Sequence, residues 1–257
     1  MPSKILLSWS TGKDSAWTLH VLRQQYPGAI AGLLTTTNGA FDRVAMHSVR
    51  RVLLEAQADA AGLPLTVVPL PWPCSNEQYE RAMGDAVAGF VDAGFTHVAF
   101  GDLFLEDVRQ YREARLRDTG LTPLFPIWKT KSTLDLAREM VAVGLSARLT
   151  CVDPARLDRS FAGRPFDATL IEALPPDVDP CGENGEFHTF ACAGPMFSRP
   201  IPVEAGEVVE RDGFVFADLL AIDGQEHPMR RSPDPRAAAR SGSARRATTP
   251  GTDSPVE

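Results

Sequence analysis

Short apolar runs alternate with longer amphipathic stretches along the first two-thirds of the chain. The apolar runs are rich in leucine and β-branched residues and are bounded by turn residues, which is typical of strands buried on both faces of a sheet. The predicted strands are Lys4–Ser10, Ala29–Thr37, Leu65–Leu70, His97–Asp102 and Ala147–Val152. The intervening stretches predict helices near Ser15–Gln25, Ala45–Ala61, Asn76–Ala93, Glu106–Thr119 and Ser132–Val143.

Several predicted helices carry recognisable end signals. Gly62 and Gly94 stand just past helix ends, and Ser75 or Asn76 is placed to cap the helix that begins before Glu77. The alternation of strands and helices indicates right-handed βαβ units and a doubly wound parallel sheet, an α/β fold of Rossmann-like type. Ligands of such sheets bind at the carboxyl ends of the strands, where the topology reverses.

The composition changes from about residue 160, where predicted helix content falls and proline and glycine cluster. Val208–Leu220 is typical of a hairpin around Arg211-Asp212-Gly213. We therefore expect a large domain at 1–155, a smaller α+β lobe at 156–228 and a tail at 229–257. The tail is rich in Arg, Ala, Ser and Pro without apolar periodicity, which predicts disorder.

Length and charge exclude some classes of protein. The 257 residues are 44% hydrophobic, enough for one large domain with a small appendage. The formal net charge of −7 argues against a broad nucleic-acid interface. No apolar stretch approaches the roughly 20 residues that span a bilayer, and the first residues lead into a strand without a signal-peptide pattern. We therefore expect a cytoplasmic protein with no membrane partner.

Four cysteines are widely spaced and form no Cys-x-x-Cys pair: Cys74, Cys151, Cys181 and Cys192. In a cytosolic chain such thiols are expected to be reduced and mostly structural. A metal site built from Cys181, His188 and Cys192 would match none of the common zinc spacings.

The strongest chemical signal is Ser10-Thr11-Gly12-Lys13-Asp14-Ser15, which directly follows the apolar run Ile5-Leu6-Leu7. A strand, then small and hydroxyl residues, then a helix make a phosphate cradle, because N–H groups and the helix dipole favour an anion there. Gly12 is expected to permit a positive φ, and Lys13 to add a point charge. A Walker A loop is excluded, since position 7 is leucine and Lys13 is followed by Asp14.

Two segments near the same sheet edge could complete a nucleotide site. Thr35-Thr36-Thr37-Asn38 ends the second strand, where hydroxyl and backbone groups could contact adenine or ribose; a turn at Asn38-Gly39 is an equally good interpretation. His47 lies in Met46-His47-Ser48-Val49-Arg50 at the start of the next helix. It could bind phosphate or transfer a proton, with helix capping or plain exposure as the alternative.

Gly101-Asp102 ends the fourth predicted strand. A carboxylate there suits Mg²⁺ or a ribose, and Arg112 on the following helix suits phosphate or carboxylate recognition. The alternative is an aspartate that caps the helix, followed by a solvated face of i,i+3 and i,i+4 ion pairs.

The segment Gly182-Glu183-Asn184-Gly185-Glu186-Phe187-His188-Thr189 gathers two carboxylates, an amide, an imidazole and a hydroxyl. A loop with this density of polar groups carries binding or catalysis more often than stability. Glu186 or His188 is a candidate general base, and Glu183 could hold a cation or an amine.

These motifs resemble those of known enzymes. Ser10–Ser15 is similar to the Ser-Gly-Gly-x-Asp-Ser loop of the N-type ATP pyrophosphatases, with Thr11 in place of the usual first glycine. Gly101-Asp102, Leu149–Asp153 and above all the Gly182–Thr189 segment resemble the diphthine–ammonia ligase family and its bacterial relatives. The resemblance runs from Lys4 to about Ala221 and implies a nucleotide-binding domain of the ATP-pyrophosphatase type at 1–155.

The resemblance also implies a reaction. In this family a carboxylate attacks the α-phosphorus of ATP, pyrophosphate leaves, and ammonia then displaces AMP from the acyl-adenylate to form an amide. ATP and Mg²⁺ are the implied cofactors, with ammonia and a carboxylate acceptor as the other substrates and a homodimer left open. The family's acceptor is diphthine on a translation elongation factor, but the sequence does not say whether this chain's acceptor is a protein side chain or a small molecule.

The expected site residues follow from the motifs and the resemblance together. ATP is expected to contact Ser10, Thr11, Gly12, Lys13, Asp14, Ser15, Thr35, Thr36, His47, Gly101 and Asp102. The other substrates are expected to contact Arg112, Glu183, Asn184, Gly185, Glu186 and Thr189. The expected catalytic residues are Lys13, Asp14, Glu186 and His188, and the expected Mg²⁺ ligands are Asp14 and Asp102.

Two other functions stay open at this point. Related loops adenylate tRNA bases, although such enzymes generally need paired cysteines or a basic RNA-binding domain. A nucleotide-binding module without chemistry is the other alternative, and the polar density of Glu183–Thr189 argues against it.

Overall fold

The computed structural model describes residues 4–39, 43–44 and 48–222. A mainly parallel sheet forms the centre of the N-terminal part of the chain. Its strands are β1 (Ile5–Ser8), β2 (Ile30–Asn38), β4 (Leu65–Leu70), β5 (His97–Ala99) and β6 (Thr122–Leu124), with the short β3 (Arg43–Val44) antiparallel to β2. The helices of this part are α1 (Lys13–Gln25), α2 (Arg51–Ala61), α3 (Asn76–Asp92), α4 (Glu106–Leu116) and α5 (Thr133–Ala142).

A four-stranded antiparallel sheet follows, in the order β8-β7-β10-β9. Its strands are β7 (Ser146–Val152), β8 (Phe187–Ala193), β9 (Val203–Arg211) and β10 (Phe214–Ala221). A 3₁₀ turn (Arg159–Phe161) and α6 (Ala168–Ala173) lie between β7 and β8. The β9–β10 hairpin turns at Asp212-Gly213, both in the left-handed region, which confirms the predicted hairpin.

Both faces of the parallel sheet are buried. Ile5 and Leu7 of β1 enter the core formed with α1, α2 and α5, and this core continues into the second sheet. Leu6, on the opposite face, packs in a second core with Phe100 and side chains of α3. Successive residues of one strand thus enter different cores, which explains why β1 is a continuous apolar run. The doubly wound α/β fold with a smaller second lobe is confirmed.

The order of the parallel strands reverses beside β1. From β1 the sheet continues through β2 to β4 on one side and through β5 to β6 on the other. The segments after β1 and β5 therefore leave the sheet at its reversal point, where α/β sheets bind ligands. These segments contain the phosphate loop, defined here as Ser10–Ser15, and the Gly101-Asp102 pair.

Two helix-end predictions are confirmed in detail. The hydroxyl of Ser75 accepts the N–H of Gln78 at 3.2 Å, and the Gln78 side chain accepts the N–H of Ser75 at 2.9 Å, which forms a capping box on α3. Gly62 ends α2 with a φ of +66°, a conformation that glycine adopts without a steric penalty. Among the described helices, none is long and apolar enough to cross a bilayer.

Three structural predictions are wrong. The run at 147–152 is β7 of the antiparallel sheet, because its partners β8 and β10 come from later in the chain. The second helix begins at Arg51, since Ser48 has a φ of +55° and Arg50 is extended. Phe187 starts β8, so the end of the polar segment at 182–189 is strand and not loop. The tail at 229–257 and His47 lie outside the described residues, and the domain limits stay predictions.

An ion-pair cluster joins the two sheets. Asp218 of β10 accepts hydrogen bonds from Arg43 Nη1 at 2.9 Å and from Arg50 Nε at 3.1 Å. Burial of the Asp218 carboxyl by itself raises its pKa, but the hydrogen bonds from the two arginines outweigh burial and the pKa is lowered. The ionised carboxylate therefore stabilises the contact between β10 and the segment that precedes α2.

Replacing Asp218 with asparagine should lower the free energy of unfolding by about 1–2 kcal/mol at pH 7, because two charge-assisted hydrogen-bond partners lose their anion. The pKa of the Asp218 carboxyl is lower in the folded protein than in the unfolded chain. Its contribution to the free energy of unfolding is therefore complete above the unfolded-state pKa and is lost as the pH falls through the folded-state pKa. Urea unfolding at neutral and acid pH measures this, and the difference between the proteins should shrink in acid. Exposed Glu207→Gln on β9 is the control; an Asp218→Asn effect independent of pH would contradict the assignment.

Candidate active site

A cavity of about 270 Å³ opens at the reversal point of the parallel sheet. Segments from both sheets line it: the phosphate loop, the residues after β5, α4, and the segment from Cys181 to Thr189. The lining residues that the sequence had singled out are Ser10, Lys13, Asp14, Ser15, Gly101, Asp102, Arg112, Glu183, Gly185, His188 and Thr189. Motifs that are far apart along the chain thus meet at one place.

The phosphate loop differs from its predicted conformation. Helix α1 begins at Lys13, two residues earlier than expected, and Gly12 is its N-cap with a φ of −78°. The positive φ of the loop falls instead on Thr11, at 72°. The hydroxyl of Ser10 accepts the N–H of Gly12 at 3.4 Å and lies 3.2 Å from the hydroxyl of Ser15, so two lining hydroxyls brace the turn.

The first turn of α1 lines the cavity with Lys13, Asp14 and Ser15. The amides of Lys13, Asp14 and Ser15 have no acceptor within the helix, as in the first turn of any α-helix. The Lys13 amide donates to Thr189 Oγ1 of β8 at 3.0 Å. This bond connects the phosphate loop directly to the second sheet, and the positive end of the 13-residue helix lies at the cavity wall, where it favours an anion.

The side chain of Lys13 is a buried cation, with 2% of its surface exposed. Its Nζ donates to Asp14 Oδ2 at 2.8 Å and to the carbonyl of Cys181, and it lies within 5.6 Å of the ring centroids of Phe166 and Phe187. Burial alone lowers the pKa of Lys13, but the nearby Asp14 carboxylate and its acidic neighbours outweigh burial and raise it. Lys13 therefore stays protonated at neutral pH.

Asp102 and Arg112 form a bidentate ion pair across the cavity wall. Arg112 Nε and Nη2 donate to the two carboxylate oxygens at 2.6 and 3.0 Å, and the guanidinium lies 4.3 Å from the Phe100 ring centroid. Asp102 does not cap α4, because Leu105 is the N-cap residue. Three N–H groups of the guanidinium are left over for other partners.

Gly101 is required for close packing at the base of the cavity. A Cβ at this position would lie 3.1 Å from the backbone carbonyl of Asp14 and 3.1 Å from the hydroxyl of Thr18. A larger residue would push the strand end away from the start of α1. The glycine therefore sets the spacing between Asp102 and the phosphate loop.

Glu186 and Asn184 brace their own loop. The buried carboxylate of Glu186 accepts the N–H groups of Asp179 and Asn184 and the Asn184 side-chain amide, each at 3.0 Å. Burial raises the pKa of Glu186, but these hydrogen bonds outweigh burial and lower it. Neither side chain lines the cavity. This geometry argues against Glu186 as a general base and against Asn184 as a substrate ligand.

Glu183 and His188 titrate in different ranges. Burial and the neighbouring carboxylates of Asp14 and Asp102 raise the pKa of Glu183 to about 7. The hydrogen bond that Glu183 accepts from the Leu103 amide at 2.7 Å lowers the pKa, but it does not outweigh burial. Burial, assisted by Lys13, lowers the pKa of His188 to about 4, so its imidazole is neutral at pH 7. Glu183 is therefore the lining group matched to proton transfer near neutrality, a role that was expected of Glu186 or His188.

Thr35 and Thr36, which were predicted to contact the nucleotide, lie away from the cavity. Thr35 and Thr36 pair with Val67 and Val68 of β4 and do not line the cavity. His47 lies outside the residues that the structure describes. The contacts expected of these residues with ATP stay predictions.

Gln57 is the main residue that sequence reasoning missed. It lies on the buried face of α2 with Leu53, Leu54 and Ala61, and its side chain bonds to the phosphate loop. The signal was available, because a glutamine on the apolar stripe of a helix must find buried polar partners.

The donor set is suited to a magnesium ion that is bound mainly by phosphate. Magnesium usually takes one or two carboxylates together with substrate phosphate oxygens. Asp14 and Asp102 both line the cavity, and a carboxylate in an ion pair keeps unused lone pairs. In the described part of the chain, no cluster of three or more His, Cys, Asp or Glu could hold a metal by itself. The magnesium assignment fits these residues and stays a prediction.

The cysteines have the properties of structural thiols. None of the four is in a disulfide. Burial raises the pKa of Cys151 to about 12 and that of Cys192 to about 11, and it also raises the pKa of Cys181. Because the thiolate is the reactive form, these thiols are poor nucleophiles at neutral pH.

Comparison with known proteins gives a consistent result. Residues 132–219 match the model of the diphthamide synthase C-terminal domain. The diphthine–ammonia ligase of Bos taurus is 32% identical over 124 residues, 46% of each chain, and that of Homo sapiens is 33% identical over 124 residues with the same shares. The Rattus norvegicus protein of that name is 25% identical over 237 residues, 83% of this chain and 87% of the relative. The chain thus spans about half the length of the bovine and human relatives in these alignments.

Two glycines of the same loop should respond very differently to substitution by alanine. Both have a positive φ, which costs an alanine about 1–2 kcal/mol. A Cβ on Gly182 would also lie 2.8 Å from the Phe187 carbonyl oxygen, whereas a Cβ on Gly185 would meet nothing within 4 Å. Chemical unfolding should therefore show Gly182→Ala destabilised at least twice as much as Gly185→Ala. Equal losses would contradict the geometry of this loop.

Proposed function

Because the chain belongs to the diphthine–ammonia ligase family, we propose that it is an ATP-dependent ligase that adenylates a carboxylate and converts it to an amide with ammonia. The observation that carries the proposal is the cavity where the phosphate loop meets the Cys181–Thr189 segment. Adenylation and amidation in one site require a polyphosphate site and a proton acceptor close together. The phosphate loop and Glu183, which both line the cavity, support these two roles.

The charges of the lining side chains favour a nucleotide that binds together with a metal ion. The lining has two cations, Lys13 and Arg112, and three carboxylates, Asp14, Asp102 and Glu183. A triphosphate would therefore meet no net positive charge from side chains, and the amides of α1 supply only partial charges. Magnesium, held by Asp14, Asp102 and the phosphates, would supply charge neutralisation to the leaving pyrophosphate.

In the first step an oxygen of the acceptor carboxylate forms a bond to the α-phosphorus as the bond to the bridging oxygen of pyrophosphate breaks. Negative charge accumulates on the leaving group, and the α1 amides with the protonated Lys13 stabilise it. The buried position of Lys13 fixes its ammonium in place, so little reorganisation is needed. The unused N–H groups of Arg112 would orient the acceptor carboxylate.

In the second step ammonia attacks the acyl carbon and AMP leaves. Ammonium must lose a proton first, and Glu183 is the group whose pKa of about 7 suits it as the acceptor. The His188 imidazole is neutral at pH 7, so it can form hydrogen bonds but cannot act as a cationic acid. The carboxylate acceptor, a protein side chain or a small molecule, enters the same cavity.

Incubation with ATP, Mg²⁺ and ammonium should release AMP and pyrophosphate, and a cell extract that supplies the acceptor should increase the yield. Lys13→Met keeps an unbranched side chain of similar length but removes the ammonium that lies near Phe166 and Phe187, and it should reduce AMP formation at least about 100-fold. Nucleotide chromatography measures the products.

Lys131→Met is the matched control, because Lys131 pairs with Glu139 at the surface and should leave the rate unchanged. Formation of ADP would contradict the proposed attack at the α-phosphorus. Tight ATP binding without turnover in any extract would instead indicate a nucleotide-binding module.

The pH dependence of ammonium-driven AMP release should reveal Glu183. In the wild type the rate should fall about tenfold per pH unit below pH 7 and level off above it, because the carboxylate is the active form. Glu183→Gln should remove the plateau, so that the rate follows free ammonia and continues to rise above pH 7. An unchanged plateau in the variant would exclude Glu183 as the proton acceptor.

A further inference from the structure

The side chain of Gln57 is buried and fully engaged in hydrogen bonds. Its Nε2 donates to the carbonyl of Thr11 at 2.9 Å and to the carbonyl of Ala191 at 2.7 Å. Its Oε1 accepts the indole N–H of Trp9 at 2.9 Å. Gln57 therefore connects the end of β1, the phosphate loop and β8 from a position on α2 that is 0% exposed.

One of these partners is a strained residue. Thr11 is β-branched and has a φ of 72°, a conformation that costs about 1–2 kcal/mol outside glycine. Its side chain is buried, and its hydroxyl has no hydrogen-bond partner in the structure. The Thr11 carbonyl, in contrast, accepts both the Gln57 amide and the N–H of Ala191, the latter at 3.0 Å.

Strain of this kind persists only where the surroundings hold the residue in place. The two hydrogen bonds to the Thr11 carbonyl fix the peptide that links Thr11 to Gly12, and the orientation of that peptide directs the amides of the first turn of α1. Ala191 lies two residues beyond Thr189, which accepts the Lys13 amide, so β8 braces the loop at two points.

We infer that Gln57 is a positioning residue that holds the strained phosphate loop in its binding conformation. The inference rests on the proposed function, since the loop is assigned to ATP. An apolar side chain would fill the same space in α2, but it would leave the Trp9 indole and the Ala191 carbonyl without this partner. A glutamine buried only for packing would be costly, because an unpaired buried amide costs about 1–3 kcal/mol.

The nucleotide experiment compares two variants by calorimetric titration with α,β-methylene-ATP, which cannot be cleaved at the α-phosphorus. Gln57→Met preserves length but removes both donors to the loop and to β8, and it should raise the Kd at least about tenfold. Trp9→Phe removes only the indole donor to Gln57 and should raise the Kd less than about threefold, even if both variants lose stability.

A stricter experiment tests whether the effect of Gln57 depends on the strained backbone of Thr11. Thr11→Gly removes the steric cost of the positive φ, so the loop should no longer depend on the amide of Gln57. In the Thr11→Gly background, Gln57→Met should change the Kd less than about threefold. A full tenfold loss in that background would contradict the link between Gln57 and the strain of Thr11.

Amide hydrogen exchange of the protein without nucleotide separates this inference from the proposed function. Exchange of residues 9–16 should become at least about tenfold faster in Gln57→Met, and Thr11→Gly should suppress this increase. If the wild type does not bind the analogue, the proposed function fails while the exchange result still tests the role of Gln57. Equal effects of Gln57→Met and Trp9→Phe on both exchange and affinity would overturn the inference.

Discussion

The contact between the phosphate loop and strand β8 is the constraint on which the rest of the site depends. It consists of the Ala191 N–H on the Thr11 carbonyl and the Lys13 N–H on the Thr189 hydroxyl, and the segment before β8 adds the Cys181 carbonyl, which accepts from the Lys13 ammonium. A cation as buried as Lys13 costs several kcal/mol unless its partners are correctly placed. Because Thr189 lies in β8 and Cys181 in the segment before it, the second sheet cannot move away from the phosphate loop without exposing unsatisfied charge and backbone groups.

The electrostatic character of the cavity depends on which of its charged side chains are paired. Lys13 is neutralised by Asp14, and Arg112 by Asp102, so Glu183 is the lining carboxylate without a cation of its own. Its pKa rises to about 7 because burial and two nearby carboxylates oppose its ionisation. A cation paired with Glu183 would lower the pKa of its carboxyl and would remove from the cavity the group that exchanges a proton near neutral pH.

Much of this architecture can be predicted from the sequence, since the strand and helix periods, the hairpin and the position of the phosphate loop follow from local patterns. The choice between Glu183 and Glu186 cannot. The two residues share one short segment, and the direction of each side chain depends on the turns at Gly182 and Gly185, whose left-handed conformations composition does not reveal. The sheet that contains β7 was equally unpredictable, because an apolar strand does not identify partners that lie later in the chain.

The position of Gln57 shows a further limit of prediction and a property of the site. In the run Glu-Ala-Gln-Ala-Asp the neighbours of the glutamine suggest a surface residue, while its helical spacing from Leu53 and Leu54 places it on the apolar stripe; only the register of α2 against the phosphate loop reveals its partners. The match to the diphthamide synthase C-terminal domain covers 132–219, which contains Cys181, Glu183 and Thr189 but neither Gln57 nor the phosphate loop. Glu183, the proposed proton acceptor, thus lies within the matched segment, and the phosphate loop lies outside it. Hydrogen bonds between the phosphate loop and β8, rather than either sheet alone, therefore set the position of Glu183 relative to the start of α1, which is the arrangement that the proposed reaction of an acyl-adenylate with ammonia requires.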